Sequence, residues 1–371
     1  MKERLRNRAL EIGFADAGFA AAMPLDLYIR EFDSRPAGMY DGIVTADFSL
    51  RRGADITRKH PWARSLIVLI RNYHRYQFPQ ELIGRIGRIY QVDDRKEKKD
   101  EYRRIMAYLD FLNSEGIRHL SDPELPARMA AATAGVVNYG KNCFIYANRV
   151  MRGASWIVSI PLVVDAVLEP DEPSIVYGCP SWCRNACMAA CPTRAIYGPG
   201  KMDPRRCIAY NTYYTSGITD PDLRETMGVW VYGCDRCQQV CPRNDPYANQ
   251  MLPVDESLEA RAGDFALDRL LAMTDDYYVE KIWPLCFYIS KGNKAKWQMN
   301  AARAMGNTND RGHVPALGDQ LRGNPEEIVR GMCAWSLGRL GGEQAKGILE
   351  ARRRKEDGLV RREIDTALSA I

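Results

Sequence analysis

The sequence predicts an α+β chain in three parts: an α/β segment on a mixed sheet, a cysteine-rich segment, and an all-α tail of stacked repeats. Three observations carry this. Short apolar runs alternate with amphipathic helical stretches up to about residue 172. Eight of the eleven cysteines fall between Cys179 and Cys241. A short motif recurs near the C-terminus, Ala302-Arg-Ala-Met-Gly306 against Ala334-Trp-Ser-Leu-Gly338, at a spacing of 32. The expected domains are therefore 1–172, 173–250, a linker 251–280, and 281–371.

In the first segment, Leu5, Ala9 and Ile12 mark an amphipathic helix. Ser65-Leu-Ile-Val-Leu-Ile70 is a short, partly β-branched apolar run, as in a buried strand. Tyr102, Ile105, Met106, Leu109 and Leu112 recur at helical spacing, and Gly116 ends that helix. Arg128 to Ala134 reads as a further helix stopped by Gly135. Trp156 to Leu168 is strand-like, with Pro161 marking an edge or bulge. Glu169-Pro-Asp-Glu-Pro173 reads as the boundary loop.

The cysteines form two groups ending in Cys-Pro. The first is Cys179, Cys183, Cys187, Cys191-Pro192; the second is Cys234, Cys237, Cys241-Pro242, with Cys207 between them. Iron–sulfur clusters are held by thiolates, four to a cubane, so eight thiolates fit two 4Fe–4S clusters in a ferredoxin-like two-cluster domain. In such domains the cysteine before Pro belongs to the other cluster. Cys179, Cys183, Cys187 and Cys241 then hold one, and Cys191, Cys207, Cys234 and Cys237 the second. The first group departs from the usual spacing, with three residues in every gap, so each extra residue must be absorbed by a changed loop path. Tetrahedral zinc is the competing assignment, as is one altered cluster with fewer cysteine ligands. A helix placing these cysteines on one face conflicts with Pro192. Cys286 and Cys333 lie outside the pattern and read as buried core thiols.

A period in this range signals stacked helix pairs, each unit burying its apolar face on the next. Residues 281–371 read as a small solenoid of HEAT type, with an ordinary helical bundle as the alternative. No apolar run is long enough to span a bilayer, so no membrane partner is expected. The N-terminus lacks the apolar core of a secretion signal. A cytoplasmic location follows, where thiols stay reduced and able to bind metal. The net charge of +5 is mild. The basic runs Arg85 to Arg104 and Arg352-Arg353-Arg354-Lys355 read as solvated helix faces with interspersed acids.

Several stretches together resemble the epoxyqueuosine reductase family. They are Gly233-Cys-Asp-Arg-Cys-Gln-Gln-Val-Cys-Pro-Arg-Asn244 after Asp203-Pro-Arg-Arg-Cys-Ile-Ala-Tyr210, the strand Ala63 to Tyr73, Ala134-Gly-Val-Val-Asn-Tyr-Gly-Lys-Asn142, Asn300-Ala-Ala-Arg-Ala-Met-Gly-Asn307, and Val329 to Leu340. The resemblance implies a cobalamin-binding first domain, with two 4Fe–4S clusters feeding the cobalt. It implies an external electron donor and a tRNA anticodon loop carrying epoxyqueuosine as partner, the epoxide being reduced to queuosine. Cobalt(I) would supply the hard chemistry, while protein fixes geometry, supplies protons and excludes water. A basic surface and a solenoid tail suit an RNA backbone. A monomer is the expected state.

The resemblance also implies site residues. Gly140, Lys141, Asn142 and Cys143 would contact the corrinoid, Lys141 through its amides or phosphate. The family's proton-donating aspartate falls on Ser121 by alignment to Lys141, and Asp122 stands beside it. Asp122 is either that donor or a helix N-cap. Tyr139, where the family pattern is altered, is either a replacement acid or a packed ring. Cys143 is either a cobalt ligand or inert. Two other readings stay open: a related reductase acting on a small molecule, and a ferredoxin-like electron carrier without cobalamin.

Overall fold

The computed structural model describes residues 1–40, 50–91, 100–121, 124–248 and 250–371. Contacts divide the chain into two units, one of Met1–Tyr76, Val92–Asp203 and Arg236–Pro253, the other of Gln77–Gln91, Pro204–Asp235 and Val254–Ile371. The cysteine-rich segment is thus shared: residues 173–203 and 236–253 fold with the first unit and residues 204–235 with the second. A segment with so few apolar residues lacks a large core of its own, so its parts settle on the cores nearest them.

The first unit contains strands β1 (Asp16–Ala21), β2 (Ser65–Asn72), β3 (His119–Ser121), β4 (Val137–Tyr139), β5 (Ile145–Ala147) and β6 (Ile157–Val164). One sheet has the order β1-β2-β6-β3. Its pairings are all antiparallel. The α+β class holds, while the parallel pairing implied by a mixed sheet is absent from this sheet among the described residues.

β2 reads as a continuous apolar run because both sheet faces are covered. Leu66, Val68 and Ile70 enter one core with Val163 and with Met129 to Ala132 of a helix, Ala127–Thr133. Ile67 and Leu69 enter the opposite core with Leu5, Ala9, Phe19, Tyr108 and Leu112. Those residues come from β1 and from the helices α1 (Lys2–Ile12) and α2 (Asp100–Ser114). Each buried Val, Leu, Ile, Phe or Met among them contributes about 1.5–3 kcal/mol. Gly13, Gly116 and Gly135 end the three helices with positive φ, as expected of C-terminal glycines. Pro161 is on neither an edge strand nor a bulge. It pairs with Val68 in an unbroken register, and the described part of β3 reaches Leu162 on the other flank.

β4 and β5 form a separate hairpin whose loop is Gly140-Lys-Asn-Cys-Phe144. Gly140 N–H donates to Phe144 O at 2.8 Å, and Cys143 takes the left-handed conformation at φ 66. A Cβ on Gly140 would sit 2.2 Å from the Tyr146 ring, so only glycine fits.

The tail of the second unit is a stack of helices: α3 (Lys294–Gly306), α4 (Val314–Gly323), α5 (Glu327–Leu340), α6 (Gly342–Arg353) and α7 (Gly358–Ala370). α3 packs on α5, and α5 on α7. The repeated motif glycines mark these crossings. A Cβ on Gly306 would meet the Ser336 Oγ at 2.7 Å, and one on Gly338 the Ala367 Cβ at 2.7 Å. The repeat thus encodes close helix approach, neighbour to neighbour. Cys286 and Cys333 are fully buried in this core, as expected. The basic run at the tail is paired with acids: Arg352 with Glu356, and Arg353 with Asp365.

One face of α3 is polar and buried. Lys296, Asn300, Arg303 and Asn307 recur at helical spacing and reach backbone oxygens of residues 212–231 in the same unit. Lys296 Nζ donates to Thr215 O and Oγ1, both at 2.8 Å. Asn300 donates to Thr212 O and Val231 O. Arg303 donates to Gly228 O at 2.6 Å and to Trp230 O, and Asn307 to Arg224 O at 2.8 Å. Buried carbonyls need partners, and this row supplies them to the segment between Cys207 and Cys234.

The row has a pH signature. Burial lowers the Lys296 ammonium to about 8, with repulsion from Arg303 adding to it. An unfolded lysine titrates near 10.4. Between those values the unfolded chain binds more protons than the folded one, so stability rises with pH there; below about 8 the cost of the buried charge is fully present. Denaturant unfolding at about pH 7.5 and about pH 9.5 should show a gain of about 1–2 kcal/mol at the higher value. In Lys296→Met that gain should shrink, burial lowering Arg303 of the same row to about 9 and leaving it a smaller share; an unchanged slope would show that Lys296 is not its source.

Candidate iron–sulfur site

The first cysteine group does not form a helix. Cys179 and Cys183 lie on irregular backbone on either side of a short turn, and only Cys187 sits on helical backbone, in the four-residue helix Ala186–Ala189. Asn185, between Cys183 and Cys187, adopts φ 60. Asparagine tolerates that conformation better than most residues, and here it redirects the chain inside one of the lengthened gaps. Cys191 follows the helix, its Sγ accepting from the Ala195 N–H at 3.2 Å. Cys237 lies on the helix Arg236–Gln239, which packs against Ala186–Ala189, and Cys241 lies just beyond it. In the second unit, Cys207 caps the helix Ile208–Tyr213, and Cys234 packs beside Ile208, Leu223, Met227 and Trp230.

Cys179, Cys183, Cys187 and Cys241 come together. Burial pushes the Cys187 thiol up to about 11, and Cys241, Cys179 and Cys183 each push it further in the same direction. Burial also raises the Cys241 thiol, with Cys179 adding to the rise. A cationic centre would relieve the cost of ionising these two buried thiols. All eleven cysteines are described, and none is in a disulfide. Among the described residues no three His, Cys, Asp or Glu side chains gather as for a single metal ion.

The hairpin loop faces these cysteines. The Lys141 N–H donates to Cys179 Sγ at 3.4 Å and its Nζ to Asn185 Oδ1 at 2.8 Å; its carbonyl accepts from Gly200 N–H at 2.9 Å. Asn142 Nδ2 donates to Cys237 O at 3.1 Å and to Tyr146 Oη at 3.0 Å. The Tyr146 hydroxyl donates to Cys241 Sγ at 3.1 Å. The polar groups of Lys141 and Asn142 are thus spent largely on the cysteine segment. Sequence reasoning missed Tyr146 and Asn185, which carry no motif of their own; their roles depend on partners 44 to 95 residues away.

The other side of the loop carries Cys143 and Tyr139. Arg128 donates to Cys143 O at 2.8 Å and lies over the Phe144 ring. Tyr139 packs against the apolar core of the first unit, and burial pushes its phenol well up, with Tyr28, Cys143 and Tyr177 acting in the same direction. Tyr177, Trp182 and Tyr197 expose about half or more of their surface, and Arg35 donates to the Tyr197 hydroxyl at 3.2 Å. Asp122 and Pro123 lie outside the described residues.

Residues 179–244 match the model of the 4Fe-4S double cluster binding domain, and residues 287–369 that of HEAT repeats. These matches, with the gathered thiols of the first unit and the stacked tail, define a two-cluster iron–sulfur protein carrying a helical repeat domain. Full-length comparison narrows the class. The chain is 29% identical to epoxyqueuosine reductase of Bacillus subtilis (strain 168), covering 100% of this chain and 96% of that one. It is 27% identical to that of Listeria monocytogenes, covering 94% and 92%. A solved Bacillus subtilis epoxyqueuosine reductase, with a catalytic aspartate loop swung out of its active site, superposes with a TM-score of 0.80 at 26% identity, covering 100% of this chain and 98% of that one. Another epoxyqueuosine reductase, solved with an epoxyqueuosine-modified tRNA stem loop, superposes with a TM-score of 0.81 at 25% identity and the same coverage. Over its full length the chain is thus similar to epoxyqueuosine reductases in both sequence and fold. No described helix is long and apolar enough to cross a membrane.

Proposed function

We propose that this protein is a cobalamin-dependent iron–sulfur reductase that converts epoxyqueuosine in a tRNA anticodon loop to queuosine, drawing electrons from an external donor. The observation that carries the reading is the seam between the hairpin and the cysteines. The loop expected to meet the corrinoid donates to Cys179 Sγ through Lys141, and its β5 neighbour Tyr146 donates to Cys241 Sγ. An electron-supplying centre and a cofactor loop are therefore built as one piece.

In this reading Cys179, Cys183, Cys187 and Cys241 hold one 4Fe–4S cluster. Cys191, Cys207, Cys234 and Cys237 hold the second, on the sequence pattern. Gly140, Lys141, Asn142 and Cys143 present the loop that borders the corrinoid; Gly140 keeps the turn compact, and Lys141 and Asn142 tie it to the cysteine segment. A bound corrinoid supplies the two-electron cobalt chemistry and the clusters its electrons. Protonation of the leaving oxygen falls to Asp122. The tRNA partner follows from the family, and a cytoplasmic monomer suits it. The exposed rings of Tyr177 and Tyr197 with Arg35 offer stacking and charge to a single-stranded loop.

The test uses anaerobically purified protein reconstituted with iron, sulfide and cobalamin, supplied with a strong reductant and epoxyqueuosine-containing tRNA. Queuosine should appear in the digested nucleosides. A retained corrinoid spectrum without conversion and without salt-sensitive tRNA binding would point to a small-molecule substrate. Failure to retain any corrinoid would point to an electron carrier.

A further inference from the structure

We propose that Tyr146 is a positioning residue for electron transfer: its hydroxyl, aimed by Asn142, donates to the Cys241 sulfur and raises the reduction potential of the cluster held by Cys179, Cys183, Cys187 and Cys241. The inference rests on the cluster assignment made above.

The direction of the hydrogen bond follows from chemistry. The Asn142 side chain faces Cys237 O at 3.1 Å, and a carbonyl only accepts, so the group pointing there is the NH2. Its Oδ1 accepts from the Phe144 N–H at 3.2 Å, which fixes the amide a second time. The same NH2 lies 3.0 Å from Tyr146 Oη and must donate to it. With that lone pair used, the phenolic proton is left to point at Cys241 Sγ, 3.1 Å away.

The ring cannot readily turn elsewhere. Tyr146 is 1% exposed, and the Arg243 guanidinium lies 4.1 Å from its ring centroid. Arg243 is itself tied to Asn138 Oδ1 at 2.8 Å and Gly178 O at 3.1 Å. Gly140 presses on the same ring from the hairpin loop.

The consequence is electrostatic. Reduction adds one electron from a low-potential donor and makes the cluster more negative. A donor already aimed at a ligand sulfur stabilises that state more than the oxidised one, which raises the potential. The O–H bond stays intact and no proton is transferred. The second cluster, with other ligands, is left as an internal control.

The test is an anaerobic redox titration followed by electron paramagnetic resonance, on the reconstituted full chain and on Tyr146→Phe. One cluster should move to lower potential by about tenfold in its reduced-to-oxidised ratio, about 59 mV for one electron, while the other stays in place. In D2O, the exchangeable deuteron coupled to the first cluster should be lost. Asn142→Asp is the second variant. It turns a donor into an acceptor, draws the phenolic proton off sulfur with the ring intact, and should shift the same cluster the same way. Unchanged midpoints in both variants, with the full iron complement retained, would overturn the proposal. Parent protein without 4Fe–4S iron would overturn the cluster assignment too, and iron analysis shows that before any variant is made.

Discussion

Cys241→Ala will lose one of two clusters and all turnover, and the cluster lost will be the one that Cys187→Ala also removes. The two positions are 54 residues apart and belong to different Cys-Pro groups. Sequence proximity alone would join Cys241 to Cys234 and Cys237. The crossing pattern of two-cluster domains instead joins it to Cys179, Cys183 and Cys187, and in the first unit Cys241 is the strongest of the three thiols acting on Cys187. Each variant should keep about half the iron, and their remaining resonance spectra should coincide. Cys191→Ala and Cys237→Ala should leave the other spectrum. If Cys241→Ala matched Cys237→Ala instead, the crossing would be wrong and the Tyr146 hydrogen bond would serve the other cluster. Turnover should vanish in all four, because a break anywhere in a one-electron chain stops delivery.

What could be read in advance was what local chemistry decides. The helix ends at Gly116 and Gly135 follow from positive φ. The β2 run follows from burial on both faces, and the Cys-Pro groups follow from ligand count. The tail repeat was visible because helix crossings at Gly306 and Gly338 force small residues at a fixed period. Strand direction was not visible. Nothing in Ser65 to Asn72 says that Ile157 to Val164 will run against it, since the pairing is set by connections elsewhere. The Gly-Lys-Asn stretch was recognisable by resemblance, yet its hairpin form and its grip on Asn185 and Cys179 are long-range facts. The row on α3 was hidden for a related reason. Lys296 and Arg303 look like solvent-facing residues until the carbonyls they satisfy are placed against them.

Asp122→Ala should lower kcat by about 10²–10⁴, the usual worth of a general acid, with both clusters and any bound corrinoid retained. Breaking an epoxide C–O bond by reduction leaves an alkoxide that must be protonated, and a side chain has to deliver the proton where water is excluded. Asp122 and Tyr139 were the two candidates. The structure weighs against the phenol. Burial pushes Tyr139 well above its ordinary pKa, and its ring packs on the core beneath the hairpin. An acid whose pKa is far above the working pH gives up its proton with little driving force. A protonated carboxyl group is a far stronger acid than a phenol and gives up its proton correspondingly more readily. Tyr139→Phe should therefore retain activity within about threefold, since it removes no proton on the path. Single-turnover assays with pre-reduced enzyme isolate this step from electron supply. There, slow conversion in Asp122→Ala beside normal conversion in Tyr139→Phe assigns the acid. The reverse result would move proton delivery to the phenol and leave Asp122 without a part in it; helix capping, the other expectation for Asp122, is ruled out because the helix that follows begins at Ala127 with Pro126 at its N-cap position.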